Sequence, residues 1–355
     1  MMDAIQVVEP TLEGYSGHCH ALVSSFVRAA APAAIDLWSG KGAESMAFGS
    51  GVTVHPFFRR RTRLPQALYL LRRLLREPGR IVATTARRSD LALLHLAAGR
   101  RVSPNRVFLY FHWVRATPGR LRFLRAMAVR QPEAVILGTT DSVVDVFRRC
   151  GFAHVLLLPY PTPQPAGIAS AVPFRQVLYA GAARQDKGFK AVVDLVQLLA
   201  ARNESIPIAV QISADHYGKY DAATRDDIAR LTALRYPPLT LIAETPSPDA
   251  YAANFPGSIC LQPYDRAEFR DRVSGVTLDA LAHGCPVIAT AGTWTADLIG
   301  PFDAGIALAA PDAESLYAAI NTVRAGYGRY QAGALSAGRA RDRDSWRPLL
   351  DRLLQ

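Results

Sequence analysis

Cysteine is scarce and scattered in this chain. Cys19, Cys150, Cys260 and Cys285 are the only four in 355 residues, and no two stand at a metal-ligand spacing. A small disulfide scaffold is excluded, and buried, reduced thiols are expected. No apolar stretch reaches the ~18 residues that a membrane-spanning helix needs. The opening MMDAIQVVEP has neither the basic nor the apolar region of a signal peptide, so the expectation is a protein made and kept in the cytoplasm. Internal repeats and low-complexity tracts are missing too. With 50% hydrophobic and 20% charged residues, composition excludes intrinsic disorder and collagen-like order. No helix-turn-helix, zinc-finger or RNA-recognition signature appears, so nucleic acid is not expected as a partner. Asp342-Arg343-Asp344 is the lone Asp-x-Asp triplet. It sits in the tail, far from any predicted strand end, so no metal site and no cofactor are expected.

What the sequence does have is length for about two domains and an uneven charge. The net is +11, but residues 1–170 hold 22 Lys/Arg against 10 Asp/Glu, and the remaining 185 hold 19 against 20. One half is therefore suited to an anionic partner and the other is not. Short apolar runs at 4–8, 81–84, 107–111, 134–137 and 155–158 alternate with helical patterns such as SDLALLHLAAG and DSVVDVFRRCG. A second series, VLYAG, IAVQIS, LTLIAE, ICLQPY and PVIAT, alternates with AVVDLVQLLAA and GVTLDALAHG. Such alternation predicts parallel βαβ units, hence an α/β fold. Five prolines between 159 and 173 mark a linker. The expected organisation is a Rossmann-like domain over 1–160, a linker over 161–173, a second Rossmann-like domain over 174–335, and a helical tail over 336–355 packing back on the first domain. Two such domains are expected to face each other across a cleft, with ligand outside the carboxyl ends of the strands.

Two segments of the second half carry chemistry. Gly181 ends the strand VLYAG, and Arg184 and Lys187 follow before the next helix. Two cations at the mouth of a sheet suit a phosphate, although plain turn chemistry explains them as well. In YDRAEFRDRVSGVTLDALAHGCPVIAT, Ser274-Gly275 opens a helix that continues through Val276, and its free N–H groups and dipole make an anion site. Asp279 lies one turn into this helix and Asp271 eight residues earlier. The first is placed to accept hydrogen bonds from a ribose and the second from sugar hydroxyls; alternatively, both are solvated surface acids.

Asp271-x7-Asp279 followed by ALAHGCPVIAT resembles the Glu-x7-Glu motif of the retaining GT-B glycosyltransferases of family 4, with both Glu replaced by Asp. Gly181 and Lys187-Gly188 match the family's Gly-Arg…Lys-Gly loop in spacing, with Ala182 where the Arg usually stands and Arg184 two positions later. EPTLEGYSGH is similar to the glycine-containing first loop, and AVILGTTDSVVDVFRRCG with VLLLPYP to the end of the N-terminal domain. The resemblance implies an N-terminal acceptor domain and a C-terminal domain for a nucleotide-diphosphate sugar. It also implies metal-independent transfer with retention, by front-face attack without an enzyme nucleophile. The implied acceptor is a polysaccharide, lipopolysaccharide or lipid-linked glycan. In that reading Arg184 and Lys187 hold the diphosphate, with Gly181, Ser274, Gly275 and Val276 around it. Asp279 holds the ribose and Asp271 the sugar hydroxyls. A sugar-nucleotide epimerase of the same architecture, or a non-catalytic nucleotide-sugar-binding protein, are the alternatives.

His112 follows the strand VFLYF and matches the family histidine near the sugar, or is a polar strand-end residue. Gly14 and Gly17 let the first loop approach the donor phosphates or acceptor, or merely punctuate a turn. Trp294 either covers the donor or packs in a core. Residues 57–80, FFRRRTRLPQALYLLRRLLREPGR, contain a helix expected to turn Leu64, Ala67, Leu68, Leu71, Leu74 and Leu75 to one face. Arg59, Arg60, Arg61, Arg63, Arg72, Arg73 and Arg76, with Phe57 and Phe58, form either an ordinary solvated surface or a docking face for anionic lipid at the inner side of the cytoplasmic membrane.

Overall fold

In the computed structural model, residues 4–14, 18–44, 46–161, 171–213 and 220–354 are described. Two compact units make up the chain, Met1–Pro161 with Arg343–Gln355, and Thr162–Asp342. The first unit contains strands β1 (Ile5–Glu9), β2 (Ile35–Gly40), β3 (Val52–Phe58), β4 (Ile81–Ala83), β5 (Val107–Phe111), β6 (Val135–Gly138) and β7 (Val155–Leu157). They form one sheet in the order β3-β2-β1-β4-β5-β6-β7, and every pairing is parallel. The second unit contains β8 (Gln176–Tyr179), β9 (Ile208–Gln211), β10 (Leu239–Ile242), β11 (Ser258–Gln262), β12 (Val287–Thr290) and β13 (Gly305–Leu308). Their order is β10-β9-β8-β11-β12-β13, again parallel throughout.

Both sheets are thus doubly wound, with the chain reversing its direction of travel between β1 and β4 in one unit and between β8 and β11 in the other. Central strands such as β5, VFLYF, are buried on both faces because crossover helices cover both sides. In the first unit Leu109, Ile136, Phe147 and Leu94 lie in one core; in the second Val177, Ile208, Val193 and Ile320 do the same. At the edges, β3 and β13 are only partly buried.

The long helix Tyr327–Asp344 belongs to the second unit as far as Asp342, so that unit extends past the expected end at 335. Tyr327 explains part of this, because its hydroxyl donates to the Ser258 carbonyl of β11 at 3.1 Å. The last residues join the first unit. The Trp346 indole N–H donates to Ser25 Oγ at 2.9 Å, and its ring lies 5.1 Å from that of Phe26. Asp342, Arg343 and Asp344 close the long helix, and their side chains lie outside the described ones. Among the described residues no helix is long and apolar enough to cross a membrane.

Candidate functional site

The switch point of the second sheet brings the sequence motifs together. After β8 the chain turns at Gly181, whose φ of +91° suits glycine, and its N–H donates to Gln211 Oε1 of β9 at 2.7 Å. A single 3-10 turn, Gln185–Lys187, leads to Gly188 and the helix Phe189–Ala201. Gly188 has φ +68°, and a Cβ there would stand 1.9 Å from the carbonyl oxygen of Pro263, just past β11. Asp265 N–H donates to the Asp186 carbonyl at 2.9 Å. The loops from the two sides of the switch point are therefore pressed together, backbone to backbone.

Lys187 sits in this junction. Its Nζ would lie 3.1 Å from a Cβ on Gly181 and is 5.8 Å from the centre of the Tyr264 ring. Among the described residues no carboxylate lies within 4.0 Å of it. Burial, with the nearby Arg184 and Arg272 guanidiniums adding to it against Asp186, lowers its pKa to about 8. Arg184 grips Asp186 through both guanidinium edges, Nε at 2.8 Å and one terminal nitrogen closer. Arg272 approaches the same carboxylate at 3.9 Å. Two guanidiniums thus share one acid, and Lys187 stands near all three without an ion pair of its own among the described residues. Sequence reasoning found Arg184 and Lys187 but missed Arg272, which stands two residues before the helix cap.

That cap is Ser274. Its Oγ accepts from the Thr277 N–H at 3.4 Å, opening the helix Gly275–Ala282. Nothing lies within 4 Å of a Cβ built on Gly275, so the helix N-terminus is open. Val276 Cγ2 comes 3.2 Å from a Cβ on Gly181, which joins this helix to the β8 loop. The helix is anchored beneath by Thr277 Oγ1, which donates to Gln262 Oε1 at 2.5 Å and touches Thr295 at 3.0 Å.

Asp279 is half-buried on the same helix and accepts from the Tyr251 hydroxyl at 3.0 Å. Burial pushes its carboxyl up to about 6, against the hydrogen bond from Tyr251. Tyr251 was not foreseen; an aromatic 28 residues away leaves no local trace. Asp271 lies in the loop before Ser274, half-buried. Trp294 is buried, 7% exposed, with Arg341 stacked 5.3 Å from its ring. It therefore packs in the interior of its unit, and Thr293 beside it caps the helix Trp294–Ile299.

In the first unit, His112 stands at the carboxyl end of β5. Its Nε2 is 2.8 Å from the Thr84 carbonyl oxygen. A carbonyl only accepts, so Nε2 carries the proton. Tyr110 and Tyr160 flank the ring edge-on at 4.8 and 5.2 Å. At the switch point, Glu9 ends β1 fully buried. It accepts from the Thr11 N–H at 3.1 Å, from Thr84 Oγ1 at 2.7 Å, and from the Thr11 and Thr85 hydroxyls. This ties down the loop that leads to Gly14, around which a Cβ would meet open space. Gly17 lies outside the described residues. Cys19 is half-buried, and burial with Glu9 pushes its thiol up to about 11. Among the described residues no cluster of His, Cys, Asp and Glu could hold a metal ion.

The helix Arg63–Leu74 buries Ala67, Leu70 and Leu74. Leu64, expected on that inner face, is instead 54% exposed, and so is Tyr69 at 63%. Phe58 is buried in the core at 1%, which removes it from any lipid-facing surface. Arg59, Arg60, Arg61, Arg72, Arg73 and Arg76 are exposed, and Arg63 is half-buried.

Solved structures share this architecture over nearly the whole chain. Sucrose-phosphate synthase from Thermosynechococcus elongatus is similar with a TM-score of 0.68 at 16% identity, covering 99% of this chain and 98% of that one. The fold is GT-B. The lipopolysaccharide outer core galactosyltransferase WaaB matches with a TM-score of 0.65 at 12% identity, over 99% of both chains. HepE of Anabaena, in complex with UDP-glucose, matches at 0.64 and 13%, over 99% of this chain and 98% of that one. No protein-family model and no curated protein matches the sequence.

Proposed function

We propose that the chain is a glycosyltransferase that takes a sugar from a nucleotide diphosphate with retention. The single observation that carries the reading is the grouping of Arg184 and Arg272 on one carboxylate with the buried Lys187 beside them, next to the open N-terminus of Gly275–Ala282, at the switch point of the second sheet. As the bond from the sugar's anomeric carbon to the diphosphate breaks, its electron pair goes to the leaving oxygen. Fixed positive charge and aligned N–H groups stabilise that oxygen most where burial limits screening. Lys187 and Arg272 meet the diphosphate, and Arg184 holds Asp186 in place or exchanges it for phosphate. Asp279 accepts from the ribose hydroxyls and Asp271 from the sugar. His112, its tautomer set by Thr84, lies on the acceptor side. The acceptor hydroxyl passes its proton to the departing phosphate oxygen as its own oxygen joins the anomeric carbon, and no metal ion is required.

The structural neighbours are glycosyltransferases, and HepE is seen with UDP-glucose, which supports a nucleotide-sugar donor. The exposed Leu64 and Tyr69 among Arg59, Arg60, Arg61, Arg72, Arg73 and Arg76 support a reversible attachment to anionic membrane, which brings the enzyme to a lipid-linked glycan. The test is a thermal-shift screen of nucleotide sugars, followed by product analysis with the stabilising donor. Stabilisation by a donor, with its sugar transferred at retained anomeric configuration, is the expected result. No stabilisation across the panel, or an epimerised donor in place of a glycoside, refutes the reading.

A further inference from the structure

We infer that the first unit holds a separate phosphate-binding pocket and that, on the transferase reading above, the acceptor carries a phosphate seated there. A cavity of about 330 Å³ opens at the carboxyl edge of the first sheet, lined by Arg87, Arg88, Arg115 and Arg120 with Phe111 and Trp113 among its walls. That volume suits a monosaccharide-sized ligand, since small-molecule pockets start at roughly 300 Å³. Four arginines and no acid are among its lining residues, and the Arg88 guanidinium also stacks 5.5 Å from the Phe123 ring. Phe111 and Trp113 are the two chain neighbours of His112, so the pocket and the residue assigned to the acceptor side belong to the same end of β5.

The placement of the arginines is costly unless an anion is expected. Arg87 caps the helix Arg88–Ala98, and Arg120 lies in the first turn of the helix Pro118–Arg130. A helix N-terminus is itself positive, and cations there are unfavourable. Pro118–Arg130 has no acid in its first turn to offset this. In Arg88–Ala98 the one acid, Asp90, is engaged by the Arg87 N–H at 2.6 Å and does not line this cavity. Two helix N-termini and four arginine residues therefore bring positive charge to the surroundings of one cavity, an arrangement that favours a phosphate. Trp113 is 44% exposed, with Arg115 stacked 5.4 Å from its ring. An exposed aromatic face beside the charges fits a phosphorylated sugar, ring against Trp113 and phosphate against the arginines. The phosphate is either the monoester of a soluble sugar phosphate or the diphosphate of a lipid-linked acceptor.

Trp113 makes the pocket observable, because the other tryptophans, Trp38, Trp294 and Trp346, are 4–7% exposed. The experiment titrates the full-length protein, at physiological ionic strength, with inorganic pyrophosphate, a hexose 6-phosphate, the same hexose unphosphorylated, and a short polyprenyl diphosphate in detergent, following tryptophan fluorescence. Saturable change with the phosphorylated probes, and none with the bare hexose, is expected. Arg88→Ala and Arg120→Gln each weaken it by about tenfold, Trp113→Phe removes the signal, and Lys187→Ala in the second unit leaves it intact. Whichever of hexose phosphate or polyprenyl diphosphate binds tighter identifies the source. Equal response to hexose and its phosphate, or Arg88→Ala and Arg120→Gln titrating like the parent, overturns the proposal. Failure of the second unit to bind any nucleoside diphosphate would instead refute the transferase reading and leave this pocket standing.

Discussion

Lys187 keeps its ammonium in a place where burial opposes the charge and where two guanidiniums repel it. Its folded pKa, about 8, lies below the ordinary lysine value. The cost to folding is therefore complete below pH 8 and is relieved as pH rises from 8 towards that ordinary value. Lys187→Met should consequently raise Tm at pH 7 while lowering affinity for a nucleoside diphosphate by about tenfold or more; calorimetry and a binding titration check both halves. A purely structural lysine would lose stability instead. Asp279 acts in the opposite pH range. Its carboxyl titrates near pH 6, and a ribose hydroxyl donates best to the ionised form. Nucleotide affinity should fall below pH 6 through Asp279 and above pH 8 through Lys187, giving a bell. Asp279→Asn should flatten the acid limb only. A profile whose acid limb survives Asp279→Asn would remove the ribose assignment.

At the scale of elements, the junction of the β8 and β11 loops depends on Gly188. Any Cβ there would meet the Pro263 carbonyl at 1.9 Å. Gly188→Ala should destabilise the protein by about 3 kcal/mol or more, since strain and overlap coincide; a near-parental Tm would show that the junction yields easily. The helix Arg63–Leu74 offers a second test. With Arg72 and Arg76 each replaced by Glu, binding to anionic liposomes at low salt should fall steeply, with Tm nearly unchanged because both side chains are exposed. If the parent protein ignores such liposomes, the membrane attachment is wrong.

The same scale shows what was legible in the sequence. Strands buried on both faces, such as VFLYF and ICLQ, announce themselves as apolar runs, and so the α/β class and most of the order followed. Strands β2, β3 and β13 were missed. IDLWSG and VTVHPFF interleave polar residues and a proline, which breaks the apolar run even in β2, an interior strand, and the edge strands β3 and β13 need neither burial on two faces nor a full ladder. Leu64 was misplaced because hydrophobic periodicity cannot say which rim of a helix stripe stays wet. At the switch point, the residues joined by local spacing that the sequence singled out, Gly181, Arg184, Lys187, Ser274, Gly275 and Asp279, do lie on neighbouring loops and one helix. Partners supplied by another loop, Arg272 to Asp186 and Tyr251 to Asp279, depend on tertiary approach and were not singled out.

For the molecule as a whole, charge divides the labour. The half that is nearly neutral in sum brings three of its cations, Arg184, Lys187 and Arg272, to one switch point, whereas the half with 22 basic against 10 acidic residues has arginines along a pocket and on an exposed helix. If the fixed cations alone neutralise the leaving diphosphate, transfer should persist in excess EDTA at near its full rate, and loss of turnover on chelation would contradict this. The most direct measurement of the central claim is an isothermal titration of the full-length protein with UDP and with uridine, repeated on Lys187→Met and Arg272→Gln. The account predicts that UDP binds much more tightly than uridine, and that either substitution erases most of that difference. Equal binding of the two ligands, or a preference for UDP untouched by both substitutions, would contradict it.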